Sequence, residues 1–540
     1  MMRTRITLLV LASILYLAYC SQTFDVYRML QYDRGNSQLG CRRTTLNGPV
    51  SHLTSVPAGK IKSNNTSIAY GGESLSFSRS TVIIKLADLL THNDKSKINS
   101  IQTLVSRDDV TGIIIVVPDR ESLAKENNEA LLKSFSALER SLFLSETPIE
   151  KPVYFVFNNA QVEKLCDQII SEKGGDFLPD SHHIIIDASE ASPINNILLT
   201  NFEATLRGKV QPAPAIAIVA HYDTLSIVPD LTRGLDTNGS GAVALLELAR
   251  LFQLLYSSAS SRGSYDLMFV LTSGGRLNYE GARHWIQKLP HATLDKLSFV
   301  LCLESLGSSE LTMHVAEKYA EDDVISLLRE FTQSAQHHNT KLEFSLKRVD
   351  VTSKEIAWEH EVMSRKNIRS ATLSRFKKPV SPQISRSSAL DVHVDVNILK
   401  NNIKMIAEAI ANIIYKKESS YTLFKEGLTP SERFIESWLT SFGHFSRSIH
   451  EKNQLLITSL KNVLDRLTNQ VNVQEFEPRS TTNSIKLYGN TKVKATVYKV
   501  KPIWFDLLLW LPIVGYLVLL HVAIVGVSQF KKNLSSLFSK

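Results

Sequence analysis

The stretch PAIAIVAHYDTLSIVPDLTRGLDTNGSGAVALLELARLF, residues 214–252, decides the fold of this chain. An apolar run at residues 215–220 leads into His221 and Asp223, a polar loop then carries Asp236, and apolar residues at helical spacing follow. This order is typical of a strand, a loop and a helix. Imidazole and carboxylate groups at the carboxyl end of a strand are the ligands of many metal centres. We therefore interpret the stretch as the scaffold of a metal site.

Runs of apolar and β-branched residues recur on both sides of this stretch and predict further buried strands. They lie at residues 112–117, 153–157, 183–186, 265–271 and 298–303. Helical patterns separate several of them, at residues 121–144, 241–255 and 280–289, and another closes the series at residues 396–415. Alternating strands and helices predict an α/β fold with a mostly parallel sheet flanked by helices.

The composition limits the classes of function. At 540 residues, with 43% hydrophobic residues, the chain is long enough for more than one folded unit. A net charge of +8 is modest for this length, and no basic run is interleaved with aromatic residues. We therefore expect no nucleic-acid partner.

Both ends of the chain predict membrane targeting. Residues 1–20 combine Arg3 and Arg5 with an apolar run and a small-residue cleavage site, which is typical of a secretory signal peptide. Residues 507–527 carry no charge and, as a helix, match a hydrocarbon core of about 30 Å. We expect a single-pass type I protein that contacts the lipid bilayer through one C-terminal transmembrane helix and leaves residues 528–540 in the cytoplasm.

The body between these ends divides into three predicted parts. Residues 21–99 form an N-terminal lumenal segment whose internal order the pattern does not resolve, and residues 100–415 form the lumenal α/β domain. Residues 416–502 form a small α+β membrane-proximal region with two predicted helices. Within it, residues 484–500 alternate around Gly489 and predict a hairpin.

The residues of the opening stretch are compatible with a zinc site of two metals. His221 and Asp223 leave the strand together, so that one would bind a metal while the other orients a ring nitrogen. Asp236 lies in a glycine-flanked turn at a helix start, where a bridging carboxylate would fit. These residue types alone do not distinguish a zinc site from ordinary loop residues.

Residues 214–415 resemble the M28 family of zinc aminopeptidases. The family pattern is His-x-Asp after a strand, then a Gly-x-Asp-(Asp/Asn)-x-(Ser/Ala)-Gly turn into a helix. Here the turn reads GLDTNGSG, residues 234–241, with one residue more than the usual spacing. The resemblance implies the zinc-aminopeptidase-like fold more strongly than the activity.

The activity is put in doubt by departures from the family pattern. After the strand at residues 265–271 the family has two adjacent glutamates, a general base and a metal ligand, whereas this chain has Gly274, Gly275 and Arg276. Arg276 puts a fixed positive charge where a dication would bind. Without the base, the water-activating step is lost.

The remaining ligand positions are also altered. Glu304 stands where the family has an aspartate, and the last histidine ligand falls near Arg386 and Ser387, with His393 several residues late. We therefore expect no catalytic residue, no bound metal and no cofactor. His221, Asp223, Asp236 and Glu304 are then vestigial ligand positions.

Over its whole length the chain resembles the nicalin family, which is related to nicastrin. The segment FDVYRMLQYD at residues 24–33, the segment SGGRLNYEG at residues 273–281 and the two predicted membrane signals carry this resemblance. It implies a glycoprotein of the endoplasmic-reticulum membrane that partners the nodal-modulator protein and a small multi-pass membrane protein. It further implies a translocon- and ribosome-associated complex for multi-pass membrane protein biogenesis, and a role in limiting Nodal signalling.

Sequons at Asn64, Asn65 and Asn238 predict N-glycosylation. Because Asn238 lies in the turn of the vestigial site, we predict a glycan at the mouth of the former cleft. The alternative is an unmodified asparagine that caps the following helix.

Three classes of function remain open at this point. The first is a non-enzymatic lumenal scaffold and assembly subunit. The second is an active zinc aminopeptidase that uses His221, Asp236, Glu304 and Glu280 in an altered arrangement. The third is a peptide receptor that binds without cleaving, as nicastrin does.

Overall fold

The computed structural model describes residues 21–34, 37–46, 52–55, 61–64, 67–70, 73–74, 80–86, 101, 104–119, 129–143, 148–172, 182–317, 322–380, 386–416, 422–450, 452–478, 485–499 and 503–526. The predicted signal peptide at residues 1–20, the sequon residue Asn65 and the predicted tail at residues 528–540 lie outside these ranges.

The described strands are, in chain order, β1 (Ser21–Arg28), β2 (Gln31–Arg34), β3 (Ser37–Gly40), β4 (His52–Ser55), β5 (Ile61–Asn64), β6 (Ser67–Tyr70), β7 (Glu73–Ser74), β8 (Ser80–Lys85), β9 (Val110–Val117), β10 (Val153–Phe157), β11 (His182–Ile186), β12 (Leu199–Leu206), β13 (Ala215–His221), β14 (Asp266–Thr272), β15 (Leu297–Leu303), β16 (Glu310–Ala316), β17 (Lys341–Lys347), β18 (Ser370–Ser374), β19 (Gln470–Phe476), β20 (Ile485–Leu487) and β21 (Lys492–Lys499).

The described helices are α1 (Glu129–Phe143), α2 (Ala160–Glu172), α3 (Gly241–Tyr256), α4 (Glu280–Lys288), α5 (His291–Leu294), α6 (Asp322–His337), α7 (His360–Ser364), α8 (Val396–Tyr415), α9 (Glu432–His444), α10 (Gln454–Leu467) and α11 (Ile503–Val525). A π-helical turn, Leu235–Ser240, precedes α3, and a 3₁₀ turn, Glu426–Leu428, precedes α9.

An eight-stranded sheet of order β17-β16-β18-β15-β13-β14-β12-β19 forms the centre of the protein. Strand β13 pairs in parallel with β14 and β15, and β15 pairs in parallel with β18. Antiparallel pairs attach β12, β19 and the β16–β17 pair at the two sides. The predicted α/β fold with a mostly parallel sheet is confirmed for this part of the chain.

Helices cover both faces of the eight-stranded sheet. Helix α3 packs on one face together with α8, α9 and α10, and α4 and α7 pack on the other. Gly241 begins α3 against the end of β15, where a Cβ atom would lie 2.4 Å from the carbonyl oxygen of Leu303. Only glycine permits this close approach, which places the start of α3 at the carboxyl ends of the parallel strands.

A second, closed sheet of seven strands has the order β1-β10-β9-β8-β4-β11-β21. Strands β9, β10 and β11 lie here, so the expectation that they extend the central parallel sheet is wrong. The repeating strand-and-helix pattern predicted these strands correctly but does not specify which sheet a strand joins. Because β1 pairs with β21 along seven residues, the two ends of the chain share this sheet across the predicted boundaries at residues 99 and 415.

The predicted hairpin at residues 484–500 is also wrong. Strand β20 pairs with β2, whereas β21 pairs with β1 and β11. The alternating pattern arises because one side of each strand is buried, and each strand meets a partner from the N-terminal half instead of its neighbour. The two predicted helices before this segment are confirmed as α9 and α10.

The closed sheet contacts the central domain through loops that surround the candidate site. Leu225, Ile227, Val228 and Leu231 from the loop after β13, with Ala389 and Leu390 from the loop before α8, share one apolar core with β9 and β10. The loops of the candidate site are thus held from both sides.

Helix α11 has an apolar sequence and many exposed large side chains, including Trp510 (62% exposed), Leu519 (65%) and Ile524 (75%). Among the described residues, no helix has both the length and the apolar character needed to cross a membrane. The transmembrane helix expected at residues 507–527 is therefore not confirmed.

Closure of the seven-stranded sheet by β21 predicts a stability effect. Val497 is 2% exposed and pairs with both neighbouring strands. We expect Val497→Ala to lower the free energy of unfolding of this sheet by about 2 kcal/mol, since it removes buried methyl groups and leaves a cavity. Lys494→Ala, at an exposed position of the same strand, is the control with little effect. Equal effects of the two substitutions in chemical denaturation would contradict the pairing.

Candidate functional site

The candidate site lies where four parallel strands end side by side. Strands β14, β13, β15 and β18 deliver Arg276, His221, Glu304 and Arg375 respectively, each within a few residues of the strand end. Side chains that follow adjacent parallel strands meet at the same edge of the sheet, and this edge is where α/β proteins place their sites. The structure thus brings the sequence-predicted positions together.

A buried ion pair occupies the centre of the site. Arg276 Nη1 donates to Glu304 Oε1 at 2.8 Å, and both side chains are 0% exposed. The same guanidinium group donates through Nε to Ser387 Oγ at 3.1 Å and through Nη2 to the carbonyl oxygen of Thr237 at 3.2 Å. Every nitrogen of Arg276 therefore has an acceptor within the site.

A second arginine, Arg386, also contacts the Glu304 carboxylate. Arg386 Nη1 lies 3.3 Å from both carboxylate oxygens and 2.8 Å from the Tyr279 hydroxyl, which itself donates to Glu304 Oε2 at 3.3 Å. The Arg386 guanidinium also lies over the ring of Trp358, 4.7 Å from its centroid. Glu304 is therefore enclosed by two cations and a hydroxyl donor.

These partners set the protonation state of Glu304. Burial alone would raise the pKa of this carboxyl, but Arg386 and Arg276 outweigh burial and lower its pKa to about 2. The folded pKa lies below the ordinary value of 4.5, so the ion pairs contribute their full stability above about pH 4.5. That contribution is lost as the pH falls toward 2.

Gly275 lets the His221 ring approach the backbone. A Cβ atom at Gly275 would lie 2.4 Å from the ring, so a glutamate at this position would require His221 to move. The ring Nδ1 is 3.4 Å from Glu359 Oε2, and Nε2 has no hydrogen-bond partner among the described residues. His221 is thus oriented by Glu359 and packed against Gly275.

The Asp223 side chain forms hydrogen bonds with the backbone of the loop after β14. Its carboxylate accepts hydrogen bonds from the amides of Gly274 and Gly275, at 2.8 and 3.3 Å. Burial raises the pKa of Asp223, and these amides oppose that effect. The residue therefore fixes the loop that carries Arg276.

Asp236 is paired with a third arginine. Arg375 Nε lies 2.6 Å from Asp236 Oδ2, and the Ser305 hydroxyl and the Gly307 amide both donate to the carboxylate at 2.7 Å. The turn around Asp236 is held in addition by Asp391, which accepts from the amides of Asp236 and Thr237 at 3.0 and 2.9 Å. Two of the three carboxylates predicted as vestigial ligands, Glu304 and Asp236, are thus neutralised by guanidinium groups.

The residue inserted in the turn of residues 234–241 has a local structural explanation. The amide of Gly239 donates to the carbonyl oxygen of Gly234 at 2.9 Å, an i to i+5 hydrogen bond, and Leu235–Ser240 is a π-helical turn. A π turn takes up one residue more than an α-helical turn, so the insertion leaves α3 in register.

The donor groups of the site determine whether it could hold zinc. A zinc site needs several unprotonated ligands around one point and excludes a fixed cation from that point. Arg276 lies between Glu304, Thr237 and Ser387, and Asp236 is bound to Arg375. Within the described ranges, no three His, Cys, Asp or Glu side chains are grouped so that they could hold a metal ion. The residues present do not fit the family's zinc ions.

Two other sequence-predicted residues lie apart from this centre. His393 is exposed, and Glu280 pairs through its carboxylate with Arg283 at 3.2 Å on α4. In the part of the chain that the structure describes, no three of the His, Asp and Glu side chains are grouped to hold a metal ion, so the altered ligand set weighed for an active enzyme is not assembled.

Asn238 is in the interior and does not stand at the mouth of a cleft. The side chain is 2% exposed, and its Oδ1 accepts from Thr237 Oγ1 at 2.9 Å and from Ser387 Oγ at 3.0 Å. A glycan on Nδ2 would need room that this packing does not provide, so we now expect Asn238 to be unmodified. It does not cap α3 either, since the residue before that helix is Ser240.

Arg447 was not anticipated, because the membrane-proximal region carried no recognised chemical pattern. The side chain is 3% exposed and donates to the carbonyl oxygens of Tyr222, at 2.7 Å, and Gly234, at 3.0 Å, and also to that of Arg233. Burial lowers its pKa to about 9. Arg447 therefore ties the segment between α9 and α10 to both loops of the site.

Three residues other than glycine adopt left-handed backbone conformations next to Glu304. They are Asn278, Tyr279 and Ser305, with φ values of 58°, 54° and 58°. Such conformations cost on the order of 1 kcal/mol each and persist where the surrounding contacts require them. Here they aim the Tyr279 hydroxyl at Glu304 and the Ser305 hydroxyl at Asp236.

Substitution of Arg276 should have the largest effect on stability in the site. We expect Arg276→Met to lower the free energy of unfolding by about 3 kcal/mol, because Glu304 would lose one of its two cations while it stays buried. The matched control is Arg42→Met, which breaks a solvent-exposed pair with Glu150 at 3.2 Å, and it should cost less than about 1 kcal/mol. Denaturant titration of both variants measures this difference, and a neutral Arg276→Met would contradict the account.

Burial of Asn238 predicts that this sequon carries no glycan. Full-length protein with Asn64→Gln and Asn65→Gln should show no mass change on endoglycosidase treatment. A mass change that persists in this double variant and disappears on adding Asn238→Gln would show that the turn is glycosylated and packs differently.

Comparisons with known proteins agree with this geometry. Peptidase family M28 matches residues 201–379, which include β13, the turn and Arg276. The BOS complex subunit ncln of Danio rerio is 29% identical over 94% of this chain and 91% of its own length. The protein named Nicalin from Caenorhabditis elegans is 28% identical over 92% of this chain and 88% of its own.

A solved structure shares the fold of most of the chain. The crystal structure of the gamma-secretase component nicastrin superposes with a TM-score of 0.57 at 12% identity, covering 88% of this chain and 99% of that one. The resemblance inferred from the sequence is confirmed: this chain is similar to nicalin-type proteins over nearly its whole length and has an M28 peptidase-like core.

Proposed function

We propose that this chain is a non-catalytic subunit of a membrane-protein complex, and that its peptidase-like core serves as a scaffold. The observation that carries the proposal is the buried Arg276–Glu304 pair, at 2.8 Å, in the place where the family binds metal. A pair so enclosed stabilises the fold only while both partners remain, and it leaves no coordination position for a dication.

Two further observations support the absence of peptidase chemistry. The family's general base is replaced by glycine, and the space for a glutamate side chain at Gly275 is filled by the His221 ring. General acid–base catalysis contributes about 10² to 10⁴-fold in typical enzymes, so its loss alone removes most of the activity. We do not propose the active aminopeptidase as an alternative.

Peptide binding at the centre of the site has little support, because Arg276 and Glu304 contact each other at 2.8 Å and both side chains are 0% exposed. We therefore favour a scaffold over a peptide receptor.

Assembly into a complex is supported by the names of the relatives. Curated relatives from Danio rerio and Homo sapiens are named BOS complex subunits, and this chain covers about nine-tenths of their length. We propose that the chain joins a comparable complex with a nodal-modulator protein and a small multi-pass membrane protein, beside the translocon and its ribosome. The role in limiting Nodal signalling stays a prediction from the resemblance.

Membrane anchoring is part of the same proposal. The uncharged segment at residues 507–527 overlaps helix α11, whose large apolar side chains are exposed. An exposed apolar helix is stabilised by lipid or by other apolar helices. We propose that α11 anchors the chain in the endoplasmic-reticulum membrane, with the body in the lumen and glycans at Asn64 or Asn65.

Metal content and hydrolysis test the proposal together. Full-length protein purified in detergent and dialysed against zinc should retain no stoichiometric zinc, because Arg276 holds the site. It should hydrolyse aminoacyl-p-nitroanilide substrates no faster than the Asp236→Ala control. Stoichiometric zinc with hydrolysis that is abolished by Asp236→Ala would overturn the proposal.

A further inference from the structure

One end of the closed sheet is joined by a short connection to the apolar helix α11. Strand β21 ends at Lys499 and α11 begins at Ile503, so three residues connect them and these two positions are at most about 14 Å apart. The ends of β1 and β11 lie beside the end of β21, because Ser21 pairs with Tyr498 and His182 pairs with Lys499. We call this end, formed by Ser21, His182 and Lys499, the rim of the closed sheet.

Both long apolar segments of the sequence connect to the closed sheet at this rim. Strands β1 and β21 are antiparallel, so β1 starts where β21 ends. In the sequence, the apolar run at residues 6–19 comes just before β1, and the uncharged segment at residues 507–527 comes shortly after β21. The rim is therefore the part of the body that the chain itself holds nearest to a membrane entered by α11.

Two large apolar side chains are exposed on the outer face of the sheet beside the rim. Side chains alternate along a strand, and Ile184 and Val497 are buried, so Ile185 and Tyr498 point outward. Tyr498 is 39% exposed and Ile185 is 37% exposed. Ile185 pairs with Thr496, two residues from Tyr498, which makes Ile185 and Tyr498 diagonal neighbours on one face.

Charged side chains on this outer face begin farther from the rim. Asp25 lies opposite Lys494 and also pairs with Lys492 at 2.9 Å. Lys494 is four residues, or about 13 Å, farther along β21 than Tyr498. Nearer the rim, the described outer-face residues of β1, β11 and β21 carry no formal charge; they are Ser21, Thr23, His183, Ile185, Thr496 and Tyr498. An uncharged face with an exposed tyrosine suits the interfacial layer of a bilayer, where the ring meets apolar atoms and the hydroxyl meets water.

We propose that the rim and the adjoining outer face of β11 and β21 rest on the membrane that α11 enters, with Tyr498 and Ile185 among the lipid headgroups. The inference rests on the proposed function, since it requires α11 as the anchor. The headgroup layer on each side of a bilayer is about 5 to 8 Å thick, so a connection of at most about 14 Å keeps the rim within or just outside this layer. Because the face is uncharged, zwitterionic lipids should be sufficient for the contact.

The test uses the full-length protein in phosphatidylcholine nanodiscs that contain a lipid with a nitroxide on its headgroup. A bimane fluorophore is attached in turn to Tyr498→Cys, Ile185→Cys and Lys492→Cys. Lys492 is the matched control, because it lies at the far end of the same strand, about 20 Å from Tyr498. The nitroxide lipid should quench the labels at positions 498 and 185 and leave the label at position 492 nearly unquenched.

The labelling has a built-in background measurement. Cys41, Cys166 and Cys302 are buried, and the unsubstituted chain treated in the same way shows how much label reacts elsewhere. Equal quenching at positions 492 and 498, quenching at position 498 alone, or quenching at none of the three positions would overturn the inference.

A charge placed at the rim tests the lipid contact with a second matched pair. Tyr498→Asp introduces a carboxylate that is costly to remove from water, whereas Tyr498→Phe keeps the ring. With the label at position 185, Tyr498→Asp should lose most of the quenching and Tyr498→Phe should keep it. Because Tyr498 is exposed, both variants should melt as the unsubstituted chain does. Equal quenching in the two variants, with unchanged melting, would contradict the contact.

The two proposals fail in different ways. A chain that enters the nanodiscs but shows no quenching at position 498 contradicts only the inference about the rim. A chain that elutes without lipid contradicts the anchoring by α11, which belongs to the proposed function itself.

Discussion

The buried pair between Arg276 and Glu304 is the interaction on which the rest of this site depends. Removing two charged groups from water costs several kcal/mol per ion, and the pair is tolerated only because further hydrogen bonds satisfy both groups. The Ser387 hydroxyl and the Thr237 carbonyl accept the remaining hydrogen bonds of the Arg276 guanidinium. Arg386 and Tyr279 donate hydrogen bonds to the Glu304 carboxylate. These partners come from three separate segments, since Arg386 and Ser387 are adjacent, so the pair fixes the positions of several loops at once.

Guanidinium groups neutralise the two carboxylates at the centre of this site. A metal would draw the carboxylates and the histidine together; here Arg276 and Arg386 neutralise Glu304, and Arg375 neutralises Asp236. Arg447 then binds the carbonyl oxygens beneath the two loops that carry His221 and Asp236. The result is a centre that links the loop between α9 and α10 to the parallel sheet. Such a centre suits a protein that holds other proteins in place.

The sequence predicted the parts of the structure that depend on local pattern. The helix expected at residues 396–415 is α8, and the strand expected at residues 153–157 is β10, because strong apolar periodicity marks both. The conflict between Arg276 and a bound dication was also visible in the sequence, since it follows from charge alone. The enclosed position of Asn238 was not, because a sequon gives no information on burial.

Contacts between distant segments could not be predicted in the same way. Strand β18, with the sequence SATLS, is short and rich in small residues, so neither it nor Arg375 at its end was expected. The pairing of β1 with β21 joins the two ends of the chain, and alternation in one strand does not specify its partner. Arg447 lies in a loop between helices, where a single arginine is most often a solvated surface residue.

A double-mutant cycle on Arg276 and Glu304 tests most directly whether this pair has replaced the metal as the centre of the fold. The free energy of unfolding is measured for the unsubstituted chain, Arg276→Met, Glu304→Gln and the double variant. We predict strong non-additivity, with the double variant destabilised by at least about 1 kcal/mol less than the sum of the single effects. Additive effects would show that the two side chains do not depend on each other and would contradict the account.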